Sequence, residues 1–169
     1  MGTNSSYKKK NYLNKNEIEY ICQKNPSFHT FKRLRNGDGI YTIYDFQRIT
    51  NGLLSKCLMK KIMQICSTKL GKFSLDDLKY FYALLFTNNS EAKLNFLLDF
   101  IFIKDNKLKV ESYIKKVNKY FDKSKILIKL FLNDDFLKNP KIDREHIYNQ
   151  IKLNNITIID NFTFLQKKN

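Results

Sequence analysis

The residues with the most specific chemistry to offer stand at the start of the chain. Met1-Gly2-Thr3-Asn4-Ser5-Ser6 fits the M-G-x-x-x-[ST] pattern, in which the amine of Gly2 accepts a myristoyl group once Met1 is removed. Lys8, Lys9 and Lys10 follow directly. One acyl chain gives marginal, reversible membrane binding, and a basic cluster supplies the second signal. Gly2 is therefore the expected lipidation site. The three lysines are the expected contact with an anionic membrane surface. Ser5 and Ser6 lie between these signals, where a phosphate would oppose the lysines.

Elsewhere the catalytic residue types are thin. Cys22, Cys57, Cys66, His29 and His146 are scattered, with no Cys-x-x-Cys pair to hold zinc. Each Cys stands in or beside an apolar stripe, as in Ile21-Cys22 and Ile65-Cys66, and reads as a small core residue. No G-x-S-x-G, P-loop or H-E-x-x-H occurs. The expectation is a non-enzymatic chain with no catalytic residue, metal or cofactor, myristate being a covalent modification.

The 169 residues carry 31 Lys and Arg against 16 acids, a formal charge of +15. Four of the basic residues are Arg: Arg33, Arg35, Arg48 and Arg144. A chain rich in Lys, Asn, Ile, Tyr and Phe matches AT-rich codon usage, which accounts for part of that charge. Positive charge attracts anionic lipid or nucleic acid whatever its origin. Nucleic acid is the weaker expectation, because no helix clusters Arg and the lysines are spread (Lys60-Lys61, Lys115-Lys116, Lys123, Lys125). No apolar run approaches the ~18–20 residues of a membrane span. Polar and basic residues fill the first sixteen positions, leaving no secretory h-region. An odd Cys count without a signal points to the reducing cytoplasm.

The elements that must position these residues read as helices. Asn16 is a candidate cap for a helix carrying Ile18, Ile21 and Cys22. Phe28, Phe31 and Leu34 form the next stripe, and Arg35–Gly39 a turn. Leu54, Leu58, Ile62 and Ile65 make an amphipathic helix. Ser74 with Asp77 three residues on is a variant capping box, opening a helix with Leu75, Leu78, Phe81, Tyr82 and Leu85. Leu94, Leu97, Leu98 and Ile101 begin a third pair, closed by Tyr113, Ile114, Val117 and Phe121. A last pair is expected from Ile147 onward, with its loop near Asn154-Asn155. The unit is helix, loop, one β-like hydrophobic residue, helix, and it recurs about every 35–45 residues. Ile40 or Tyr41, Phe73, Leu108 and Ile156 are the expected bridge residues.

This organisation resembles a degenerate EF-hand protein over residues 17–166, most clearly at Phe28–Ile49 and Leu54–Leu85. With the acylation signal, it looks like calcineurin B, its homologous proteins and the neuronal calcium sensors. The resemblance implies an all-α fold of two lobes. Residues 1–16 would be a flexible lipidated arm, 17–88 and 89–169 the two helix–loop–helix pairs, with a helical insertion at 122–142. It also implies calcium loops, which need oxygen ligands at positions 1, 3, 5, 7 and 9 and a Glu at 12. Asn36, Asp38 and Asp45 fall at positions 3, 5 and 12 of the first loop, but Leu34 falls at position 1. Asp77 falls at position 12 of the second, with Cys66 at position 1. These four are read as vestigial.

The aromatic set Phe73, Phe81, Tyr82 and Phe86, in a segment that also holds Tyr80, is either core or a groove for an amphipathic helix. The resulting expectation is a calcium-independent adaptor or regulatory subunit. It would hold a helical segment of a partner protein at the cytoplasmic face of a membrane. The alternatives are a membrane-free regulatory subunit of a phosphatase, motor or kinase, the EF-hand-like half of a TLDc-type architecture, and a basic nucleic-acid-binding protein.

Overall fold

The structure, a computed structural model, describes residues 11–24, 44, 56–66, 73–121 and 124–160. Those residues are mostly helical, with one two-stranded sheet. The chain divides into two compact units; described residues up to Thr87 belong to the first and those from Asn88 to the second.

In the first unit α1 spans Lys15–Lys24, α2 Lys56–Cys66 and α3 Leu75–Phe86. The cap of α1 is Asn14 rather than Asn16. Its Oδ1 accepts from Glu17 N at 2.8 Å, and Glu17 Oε1 accepts from Asn14 N at 3.5 Å. Both asparagines have a glutamate three residues on, but Glu19 is drawn to Lys79 Nζ at 3.0 Å, while Glu17 closes the reciprocal pair with Asn14. The box that opens α3 is the one the spacing predicts: Ser74 Oγ accepts from Asp77 N, and Asp77 Oδ2 accepts from Ser74 N, both at 3.1 Å. Leu78 and every residue from Tyr80 to Leu85 are buried, so α3 is covered on all sides and forms the centre of this unit. α1 and α2 pack on it. Met59, Ile62, Met63 and Ile65 supply the buried face of α2, and Cys22 with Leu13 that of the α1 segment.

The second unit repeats the plan with α4 (Ser90–Ile101) at its centre. Asn89 caps it, accepting from Ala92 N at 3.1 Å. Leu94 and all residues from Phe96 to Ile101 are buried. Strand β1 (Lys107–Lys109) leads into α5 (Val110–Phe121). Then come α6 (Lys125–Phe131), α7 (Asp134–Leu137), strand β2 (Lys141–Asp143), α8 (Arg144–Asn154) and α9 (Ile156–Asp160). The strands pair antiparallel with Leu108 opposite Ile142.

Leu108 is thus a bridge residue as the pattern predicts, but its partner is Ile142, not Ile156. Ile156 opens a helix whose Ile159 is buried. The segment Lys141-Ile142-Asp143 has what a short strand needs. Pro140 before it cannot continue a helix and leaves a carbonyl that accepts from Val110 N at 3.2 Å. Asp143 after it caps α8, accepting from Glu145 N at 2.9 Å. The β-branched run Ile156-Thr157-Ile158-Ile159 has strand propensity, but burial of Ile159 in a helical turn overrides it.

One ion pair ties this unit together. Arg144 Nε donates to Asp99 Oδ1 at 3.2 Å, with side-chain exposures of 13% and 1%. The same guanidinium donates to Asn95 Oδ1 at 3.1 Å. Removing one member of a buried pair weakens the compensation of the other charge, at a cost of up to roughly 3–5 kcal/mol. Arg144→Ala is therefore expected to lower unfolding free energy by about 3 kcal/mol, read as a fall in urea midpoint. An Asp99→Leu/Arg144→Met double variant should recover most of it; a double variant no better than Arg144→Ala would refute the coupling.

Candidate functional site

The sequence nominates three sets of residues, and the structure treats them differently. Gly2, Lys8, Lys9 and Lys10, and the loop residues Asn36, Asp38 and Asp45, lie outside the described residues, as do Ile40 and Tyr41. Asp77 is described. It is buried, and its carboxylate closes the capping box at the start of α3. That use is local: a carboxylate in the first turn also meets the positive end of the helix dipole.

The four aromatic candidates separate by exposure. Phe73, which takes part in an isolated β bridge, Phe81 and Tyr82 are at most 1% exposed and belong to the core of the first unit. Phe86 is 38% exposed at the end of α3, its ring 4.6 Å from that of Tyr82. Tyr80, outside the candidate set, is buried and accepts from Tyr12 N at 2.6 Å through its hydroxyl. In this conformation the set is three core rings and one rim ring.

The second unit brings together residues the sequence reading did not group. Two helix–strand–helix segments meet through β1 and β2. The chain bonds on either side of the strands are mutual: Val110 N donates to Pro140 O, and Arg144 N donates to Asn106 O at 2.9 Å. Beside this junction, Asn133, Asp135, Phe136, His146, Gln150 and Asn154-Asn155 line a cleft of about 390 Å³. Asp135 is engaged by Lys138 Nζ at 3.3 Å, and the His146 ring stands edge-on to Phe136 at 6.2 Å. The lining holds one carboxylate, one imidazole and carboxamides, without a thiol or hydroxyl to act as nucleophile. Such a set can hydrogen-bond a polar group; it is not arranged as an acid–base pair.

Glu91 and Tyr148 share a small charged cluster at the start of α4 and on α8. The Tyr148 hydroxyl donates to Glu91, and Lys152 Nζ lies 3.6 Å from the same carboxylate. The Tyr148 bond, followed by Lys152, holds Glu91 below the usual carboxylate range. Burial, more than the Glu91 bond, raises the Tyr148 phenol. Burial also pushes the Tyr113 phenol well above its ordinary range, and its hydroxyl donates to Phe131 O. Arg144 was legible only as one of four arginines; its partners Asn95 and Asp99 lie more than forty residues away, and no local spacing marks them.

Among the described residues no group of three or more His, Cys, Asp or Glu could hold a metal ion, and no helix is long and apolar enough to cross a membrane. Compared with known proteins, the chain matches no family model, no curated sequence and no solved structure.

Cys22 gives a measurable consequence. Burial pushes its thiol up from 9.0 to about 11, while Lys79 pulls weakly the other way. A raised folded value favours the protonated form, so its contribution to stability is complete below pH 9 and lost as pH rises towards 11. In a Cys57→Ala/Cys66→Ala protein at pH 8, the thiolate fraction implies modification by a disulfide reagent about 100-fold slower in the native state than in urea. Equal rates in both states would show that Cys22 is open.

Proposed function

We propose that this chain is a non-enzymatic, calcium-independent adaptor or regulatory subunit of EF-hand-like design, holding a helical segment of a partner protein at the cytoplasmic face of a membrane. The observation that carries this reading is the Leu108–Ile142 pairing. It joins two helix–strand–helix segments through a short antiparallel strand pair, which is how EF-hand loops pair.

The same register argues against calcium. With Leu108 and Ile142 at position 8, the two loops span Ile101–Ser112 and Asp135–His146. Ile101 and Ser112 put no carboxylate at either end of the first. In the second, Asp135 lies within α7 and bonds Lys138, Asp143 caps α8, and His146 stands where a bidentate Glu is required. In the first unit, Asp77 at the corresponding end is buried in its capping box. Capping engages Asp143 and Asp77, Lys138 engages Asp135, and Asp105 stands in a loop with no carboxylate at either end.

The anchor in this reading is Gly2, with Lys8, Lys9 and Lys10 as its electrostatic complement. The groove candidates Phe73, Phe81, Tyr82 and Phe86 would receive the partner helix only if the first unit opens, since three of the four are core residues of the free chain. A pull-down from native cells with and without Gly2→Ala tests the whole reading. Recovery of one helical partner from the membrane fraction, lost to the soluble fraction with Gly2→Ala, is expected. Recovery of RNA or DNA at moderate salt would instead favour the nucleic-acid reading. An unmodified N-terminal glycine by intact mass would end the lipid anchor.

Calorimetry with calcium at ~1 mM, the weak end of EF-hand affinities, should show no saturable heat. One or more saturable sites would overturn calcium independence.

A further inference from the structure

Residues 107–132 carry eight lysines against two acids, Glu111 and Asp122. In α5 the two exposed lysines, Lys115 and Lys119, lie one helical turn apart on the face opposite buried Tyr113, Val117 and Phe121. Glu111, one turn before Lys115, is the one acid of that stripe. Ser124 N, before α6, donates to Phe121 O at the end of α5 at 2.8 Å. At the other end, Tyr113 near the start of α5 meets Phe131 at the end of α6. The two helices therefore run back along each other as an elbow.

The outward residues of α6 continue the basic surface. Leu127, Leu130 and Phe131 are buried, while Lys125, Ile126 and Lys129 are exposed. Ile126 is 63% exposed between its two lysine neighbours. Among the described residues, none of Lys115, Lys119, Lys125 and Lys129 forms an ion pair, and Lys119 lies 5.9 Å over the Tyr120 ring.

We propose that this α5–α6 elbow docks on an anionic phospholipid bilayer, with the four lysines over the headgroups and Ile126 entering the interface. The charge complements an acidic leaflet, and an aliphatic side chain among lysines gains by leaving water there. Nucleic acid fits less well. It favours guanidinium forks and stacking rings, and neither is among the exposed residues of α5 and α6. Arg144, the arginine within the described residues, is already engaged by Asp99. The inference deepens the membrane-face reading and rests on it for the membrane as partner, but it makes no use of Gly2.

The test uses the full chain made without an acyltransferase, so that Gly2 is unmodified. Sedimentation is measured with phosphatidylcholine vesicles, with and without about 30% phosphatidylserine, at about 0.1 M salt. Binding to the anionic vesicles alone is expected. Changing Lys115, Lys119, Lys125 and Lys129 together to Gln should lower the partition coefficient at least ~100-fold. Ile126→Ser should lower it several-fold, and that loss should persist when salt is raised. The four-lysine effect should also persist in a Lys8→Gln/Lys9→Gln/Lys10→Gln background, which separates the elbow from the arm. An unacylated parent that ignores anionic vesicles, a folded four-lysine variant that binds like the parent, or tighter elbow-dependent binding to duplex RNA at the same salt would each overturn the proposal. Loss of the acyl anchor in native cells would not, so the two readings fail separately.

Discussion

A carboxylate at 1% exposure needs a cation within reach, and Asp99 has Arg144. The organisation of the second unit follows from that requirement. Asp99 lies on the last turns of α4, so the helix buried on nearly every side carries its charge inward. Arg144 opens α8, and its backbone N–H bonds Asn106 O just before β1. One residue thereby links the central helix, the strand pair and the start of the helix that follows β2. Its extra bond to Asn95 holds the planar guanidinium against the same face of α4. A lysine could meet the charge but not this fork of contacts.

Capping does comparable work at smaller scale. Asn14, Ser74, Asn89, Ser124, Asn133 and Asp143 each accept from a backbone N–H at the start of a helix. This chain is rich in Asn, and three of these six caps are Asn. Asp143 belongs to this set, Asp77 to the Ser74 box, and Asp135 to a surface ion pair with Lys138. Their number therefore says little about cations, and their bonding partners say more.

The two units handle their aromatic content differently. In the first, Tyr80, Phe81 and Tyr82 follow one another along α3 and are all buried, which requires neighbours on every side of that helix. In the second, the rings pair across elements, as Phe100 with Tyr120, Phe102 with Tyr113, and Phe121 with Phe131. Those pairs fasten α5 and α6 to the core by their inner faces. Their exposed faces hold four lysines and Ile126 beside Glu111, Ser112 and Asn118, so the elbow presents a basic surface with an apolar point.

Much was legible in the chain because it is encoded locally. The apolar stripes of α3 to α5, Ile62 and Ile65 of α2, the Ser74–Asp77 box and the strand residue Leu108 all follow from spacing within a dozen residues, where helical and extended periods differ. The partner of Leu108 was not legible. Ile142 and Ile156 are both β-branched residues near turn signals, and the choice rests on Pro140, the Asp143 cap and burial of Ile159, which tertiary packing weighs together. The role of Arg144 was hidden for the same reason, since its partners are 45 and 49 residues away. Likewise Phe81 and Phe86 look alike in a stripe, yet one is core and one is rim. Sequence determined most of the described helical segments and which residue types can cap them, because those are short-range energies. Tertiary structure decided which strand pairs with which, which charge is buried and which apolar side chains face water, because those depend on surfaces that meet only in the folded chain.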